Sequence, residues 1–374
     1  MRRLLTVVVL IVPHGLPLVG ARSAQAETTF ERLPLGDDET LEYALVRPDD
    51  FDPARTYPVL LALPPGRQTR AMVEAGLGRY WGEQAARRGW IVASPIAPAD
   101  GLFFRGGEHA IPALLDHLEQ ALHVEGGRFH LAGSSNGGRS AFRVAGLHAD
   151  RFHSLTVLPG YPPEADDEER LAGLTGLPVA MFVGGRDTGW IGPMRRTRDR
   201  LRELGGICTL TIIPGAGHVP PSLDGPVMMQ HLQGVRDDVL IGRVLDDFHA
   251  AAAAADGPRY FRHFTADAVF IGTDPGERWT RAEFETYAKP HFARGTGWTY
   301  VTTERHITRG PDDATAWFDE MLENERYGTC RGTGVLVRTH RGWKIAQYAL
   351  TIPLPNDLTP EVVGRIRESA APHE

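Results

Sequence analysis

Apolar positions follow one rhythm up to about residue 235 and another beyond it. In the first part, short apolar runs alternate with stretches of helical spacing. Residues 57–63 (YPVLLAL), 90–94, 128–132, 154–158, 179–183 and 208–213 read as short strands. Between them, 72–88 (stopped by Gly89), 109–123, 138–145 and the basic amphipathic stretch 194–204 read as helices. In 109–123, Ile111, Leu114, Leu115, Leu118 and Leu122 share one face. Residues 27–50 read as a leading hairpin. Strands that are apolar throughout are buried on both faces, which predicts an α/β unit with a mostly parallel sheet and helices on each side.

From Val239 the pattern changes. A helix is expected over 239–255, closed by an alanine run and Asp256-Gly257-Pro258, with further helices at 259–264 and 281–292 and a strand at 269–272. Residues 225–234 show no clear period and read as a cap on the first unit. Long alternating segments follow at 298–308, 314–324, 328–339 and 342–352, joined by turns such as Gly310-Pro311-Asp312-Asp313. Helices followed by a meander predict an α+β unit with a curved antiparallel sheet. The expected division is 1–26 leader, 27–235 first domain, 239–357 second domain and 358–374 tail. Within 314–324, alternation puts Trp317, Asp319, Met321 and Glu323 on one side. Asp319, Glu323 and Tyr327 could be pocket polar groups, with Asp319 a proton-transfer acid and the first unit inactive, but a solvated or hydrogen-bonded sheet face is the favoured reading of them.

Composition changes this picture little. At 42% apolar and 23% charged residues over 374 positions, two ordinary cores fit. Arg2 and Arg3, the apolar run 4–12 and Ala24-Gln25-Ala26 read as a secretory signal peptide cleaved near Ala26, so a secreted or periplasmic protein is expected. Removing it takes away three basic residues and no acid, shifting the net charge from -7 to -10. An acidic chain without a basic, aromatic-laced stripe excludes the usual nucleic-acid binders. No run beyond the leader has the length to span a membrane. Cys208 and Cys330 fall in apolar strand-like segments of different domains and read as two buried thiols. The histidines show no ligand spacing, so no metal or other cofactor is expected.

The chemistry sits where 128–132 gives way to Gly133-Ser134-Ser135-Asn136-Gly137 and then a helix. Strand, G-x-S-x-G and helix form the nucleophile-elbow pattern, in which glycines let a serine stand clear of the backbone. Ser135 is the central serine and Ser134 is out of register. Ligands on parallel sheets bind at the carboxyl ends of strands. After 179–183 comes Asp187, and after 208–213 comes His218. The order Ser135, Asp187, His218 is the one this elbow requires. His218 would serve as the base, Asp187 would orient it, and the Asn136 amide would donate to an oxyanion. The second donor is expected in the loop after the first long strand, at Arg67 ahead of Gly66 or Gln68.

Residues of about 27–235 resemble an α/β-hydrolase of the esterase, polyhydroxybutyrate-depolymerase-like type, through ALPPGRQ (62–68), GSSNGG, GGRDTGW and GAGH. The resemblance implies a carboxylic-ester hydrolase acting on a small-molecule ester, with an amide substrate left open. Pro64-Pro65 replaces the usual His-Gly of the oxyanion loop. Residues 239–357 resemble the SnoaL-like group of the nuclear transport factor 2 superfamily, through FTADAVFIGTD, GWTY, AWFDEML, YGTCRGTGVLV and GWKIAQYALTIP. That likeness implies a cone open at an apolar mouth and a homodimer paired through its sheet. The fold hosts many functions, so it does not by itself imply an activity. Residues 162–177 read as a short lid or surface loop, which predicts an open site for small or polymer-end substrates.

Overall fold

The computed structural model describes residues 27–36, 38–98 and 101–369. The expected leader, 1–26, lies outside the described residues. The strands are β1 (Glu27–Gly36), β2 (Glu39–Arg47), β3 (Thr56–Tyr57), β4 (Val59–Leu63), β5 (Ile91–Pro95), β6 (His123–Val124), β7 (Phe129–Gly133), β8 (Phe152–Val157), β9 (Val179–Gly184) and β10 (Cys208–Ile213). Eight of them form one sheet in the order β1-β2-β5-β4-β7-β8-β9-β10. Pairing is antiparallel from β1 through β2 to β5 and parallel from there on. The two-residue β3 and β6 pair separately. All five residues of β4, β5 and β7 are buried, as their unbroken apolar character requires.

Apolar clusters fill both faces of this sheet. On one side lie α3 (Ala110–Ala121), α4 (Asn136–Leu147) and α6 (Thr188–Glu203), contributing Ile111, Leu114, Phe142 and Met194. The expected single helix 72–88 is instead α1 (Arg70–Gly76), a π-turn Leu77–Trp81, and α2 (Gly82–Arg87). Gly82 packs against the Leu77 carbonyl in the widened turn, where an added Cβ would lie 2.9 Å from that oxygen. Residues 162–177 are not a free lid. Asp167, on the short α5 (Ala165–Glu169), is buried and bonds Arg143 and Arg170, while Leu171 and Leu174 enter the core.

The second sheet comprises β11 (Phe264–Ile271), β12 (Arg278–Thr280), β13 (Val301–Arg309), β14 (Thr315–Asn324), β15 (Gly328–Thr339) and β16 (Gly342–Thr351). Its order is β12-β11-β16-β15-β14-β13, antiparallel except between β11 and β16. The helices α8 (Gly257–Phe261) and α9 (Arg281–Ala293) close over it, the latter started by a capping box between Thr280 and Glu283. An aromatic core of Phe248, Tyr260, Phe264, Phe284 and Tyr348 fills the cone. Cys208 and Cys330 are buried free thiols. A last helix, α10 (Thr359–Ser369), occupies the expected tail.

One expectation is corrected at the junction. Residues 225–234 are not an aperiodic cap: α7 runs unbroken over Pro226–Ala253. Met228, Met229 and Leu232 pack on the first sheet, and Ile241, Leu245, Phe248 and Ala252 pack inside the second. The buried stripe passes from one core to the other within a single helix, so its first turns show no clean period of their own. Trp90 donates to Gln233 (2.9 Å), and Arg236 binds Glu125 through two bonds of 2.7 and 2.6 Å. Among the described residues no helix is long and apolar enough to cross a membrane.

The α7 seam is sensitive to acid. Burial, with Arg243 close by, holds His153 down to about 4, and burial, with Arg309, holds His231 down to about 4. Both stay neutral in the fold, while an unfolded histidine protonates near 6.5. The unfolded chain therefore binds more protons between these limits, and stability falls as pH drops from about 6.5 to 4. Each histidine contributes up to about 3 kcal/mol of that loss. Asp238, raised by burial to about 6, works in the opposite direction and offsets part of it. The Tm is expected to be several degrees lower at about pH 4.5 than at pH 7. A Tm that rises on acidification in thermal melts would contradict this account.

Candidate active site

Ser135 stands between β7 and α4 at φ 57 and ψ -116. A non-glycine residue held there is strained, and close packing all round sustains it. An added Cβ on Gly133 would come within 2.1 Å of the Gly137 carbonyl. One on Gly137 would come within 2.1 Å of the Leu63 carbonyl. Only glycine at both positions lets strand, turn and helix meet this closely. The Ser135 amide is anchored to the Pro159 carbonyl (3.0 Å). Ser134 is buried, and its hydroxyl donates to the Leu158 carbonyl (2.8 Å), so it faces the scaffold.

Asp187 and His218 follow β9 and β10, side by side in the parallel sheet. Their loops are laced together: Gly185 N–H donates to Ile213 O (2.8 Å) and Arg186 N–H to Ala216 O (2.9 Å). Gly184 faces Gly217 so closely that a Cβ would lie 2.0 Å from its carbonyl. His218 Nδ1 lies 2.6 Å from Asp187 Oδ2, and His218 Nε2 lies 2.9 Å from Ser135 Oγ. The three side chains form one hydrogen-bonded chain. Asp187 stands at the N-terminal boundary of α6 without bonding the helix amides through its side chain, which is turned to His218. The Asp187 side chain is 14% exposed and that of His218 39%, so the imidazole is open to solvent and the carboxylate is shielded.

The loop after β4 lies against the elbow. Asn136 Nδ2 donates to the Gly66 carbonyl (2.9 Å), fixing the two segments together. Gln68, fully buried, braces the loop by donating to the Pro64 carbonyl (3.1 Å) and accepting from the Phe103 amide (2.8 Å). The Gln68 amide is committed to Pro65 O (3.1 Å). The amides of Asn136 and Arg67 have no intramolecular acceptor among the described residues. Pro64-Pro65 therefore leads into a loop braced by a buried amide side chain.

Sequence reading missed the wall of the site. Trp190 lies 5.1 Å from the His218 ring, and Tyr161 lies 5.1 Å from Trp190. Trp190 sits three residues beyond Asp187 on α6. Arg139, one helical turn beyond Ser135, lies over Phe104 and Tyr161 at 4.6 and 5.4 Å. The i+4 spacing from Ser135 was the available signal for Arg139.

The second unit holds a separate cavity of about 210 Å³, lined by Phe248, His249, Tyr260, Trp279, Trp298 and Tyr348 among others. At its base His249 Nε2 lies 2.7 Å from Glu320 Oε1, and Arg305 donates to Glu320 Oε2 (2.9 Å). Burial raises the Glu320 pKa, but the bonds from His249 and Arg305 outweigh it and hold the carboxyl below its usual range. The buried Tyr260 hydroxyl has no hydrogen-bond partner among the described residues. Asp319 and Glu323 are exposed, on the opposite side of the strand from Glu320, and Tyr327 sits at the cavity mouth. The interior acid is thus Glu320 and not Asp319.

Residues 241–355 match the family model of the SnoaL-like domain. Among solved structures, the chain is similar to a thermostable esterase at 16% identity and TM-score 0.43, over 57% of this chain and 62% of that one. It thus spans less than two thirds of that esterase. It is similar to the S-formylglutathione hydrolase of Agrobacterium tumefaciens at 14% identity and TM-score 0.47, over 57% of this chain and 95% of the other. It is also similar to an NTF2-like protein of unknown function from Pseudomonas putida KT2440 at 11% identity and TM-score 0.27, over 31% and 87%. No curated protein matches the sequence. The chain joins an N-terminal α/β-hydrolase fold to a C-terminal SnoaL-like domain.

Proposed function

We propose that this protein is an exported serine hydrolase that cleaves carboxylic esters through an acyl-serine intermediate. The observation that carries the reading is the hydrogen-bonded chain from Ser135 through His218 to Asp187 at three strand ends. His218 Nε2 takes the Ser135 proton as the oxygen attacks the ester carbonyl. The Asn136 and Arg67 amides stabilise the oxyanion. The imidazolium then protonates the leaving alcohol, and Asp187 stabilises its charge throughout. Water, activated by the same imidazole, releases the acid and regenerates Ser135. An amide substrate would use the same groups and differ only in its leaving group. Export follows from the leader pattern of 1–26. Self-association through the second sheet is part of the same reading, supported by Trp317 (48% exposed) and Val301 (59%) on its outside.

A second reading puts ligand binding in the cone, favoured by His249 at the base of an aromatic cavity. Labelling with a fluorophosphonate probe separates the two. Wild-type protein is expected to label, and the Ser135→Ala and His218→Ala variants are not. A folded wild type that stays unlabelled would move the chemistry away from Ser135.

A further inference from the structure

We infer that the proposed hydrolase site takes esters with a carboxylate on one arm of the scissile bond. This rests on the hydrolase reading above and names its substrate class.

A cavity of about 500 Å³ opens beside the elbow. Its wall includes Asn136, Gly66 and Arg67, the segment proposed to hold the oxyanion, and continues to Arg70, Leu102 and Arg105. Among the described residues that line it, three are arginines and none is acidic. Arg70 is tied to Glu42 and lies 3.6 Å over the Phe30 ring. Arg67 and Arg105 are exposed, and neither pairs with a carboxylate among the described residues. The positive charge continues past Phe104, whose ring has Arg105 at 5.4 Å and Arg139 at 4.6 Å. Arg139 donates to the Pro163 carbonyl (3.0 Å), and its Nε is buried without a partner among the described residues. Arg143, one turn further along α4, is neutralised by Glu108 and Asp167 and is no part of this field.

A chain with net charge -7 thus presents a cationic cleft next to its candidate nucleophile. Guanidinium keeps its charge at all ordinary pH and matches a carboxylate in a two-pronged geometry. The cleft is wide enough for an arm of several heavy atoms, and a neutral alkyl arm would gain nothing from arginines. Because the cavity adjoins the oxyanion amides, a carboxylate arm seated there would align the carbonyl with Ser135.

Matched ester pairs test this. On the acyl side, para-nitrophenyl valerate is compared with mono-para-nitrophenyl glutarate. On the alcohol side, phenyl butyrate is compared with the butyryl ester of para-hydroxybenzoate. In one pair at least, kcat/KM of the charged ester is expected to exceed that of the neutral one by about ten-fold. The margin should shrink in about 0.5 M salt, where the screening length falls to about 4 Å. Arg105→Gln is expected to leave neutral-ester turnover unchanged and to cut the preference to about two-fold or less. No preference in either pair would overturn the inference, as would a preference that survives Arg105→Gln. Probe labelling of Ser135 keeps the two readings apart. An unlabelled serine sinks the hydrolase reading, whereas a labelled serine without anion preference sinks only this one.

Discussion

Ser135→Ala is expected to lower ester turnover by about 10⁶-fold while the protein keeps its fold. Among the described residues, Ser135 carries the one hydroxyl hydrogen-bonded to His218, at 2.9 Å. Ser134 cannot replace it, because its hydroxyl is buried and bound to Leu158 O. The methyl of alanine fits the same strained turn, so the backbone loses no contact that the hydroxyl alone provides. His218→Ala should cost about as much, and the double variant little more, because nucleophile and base act as a unit. Asp187→Asn should cost about 10⁴-fold, since an amide holds the imidazole in the wrong tautomer. Steady-state kinetics on a chromogenic ester, with melting curves to verify the fold, would check all three. Turnover retained in Ser135→Ala would mean that this triad does not carry the reaction.

Glu320→Ala is expected to destabilise the second unit by about 3 kcal/mol. The carboxylate is fully enclosed and binds His249, Arg305 and the Tyr348 hydroxyl together. Its removal leaves Arg305, 12% exposed, facing a cavity. Arg305 keeps Asp246 (2.8 Å) and the Gly242 carbonyl (3.2 Å), which places the loss at the low end for a broken buried pair. Asp319→Ala, one residue away on the outer face, should change stability by less than about 0.5 kcal/mol. Urea titration of both variants reads the contrast directly. Equal effects would mean that the strand presents its faces differently.

How much of this was legible depended on whether a signal was local. The triad was readable because each member follows an apolar run of a parallel sheet, and such sheets gather their strand ends at one edge. The buried acid of the cone was readable in principle. Ala316, Phe318, Glu320 and Leu322 share one parity of the strand, and an acid among apolar neighbours marks an interior polar group. Its partner His249 lies 71 residues away in an alanine-rich helix and carries no such mark. Gln68 read only as a lesser candidate for the second oxyanion amide. Its role as a brace depends on Phe103 and Ser140, which only the folded chain brings near. The continuity of α7 was hidden because its buried face changes core partway along.

That shared helix also constrains how the chain can be divided. A cut between 235 and 239, where the sequence changes character, would split one helix and part the side chains that bind across the seam, such as Arg243 with His153. Fusion of the two units is therefore more than tethering. One helix serves both cores, so rearranging the units as interchangeable modules would mean breaking it and the bonds that cross it.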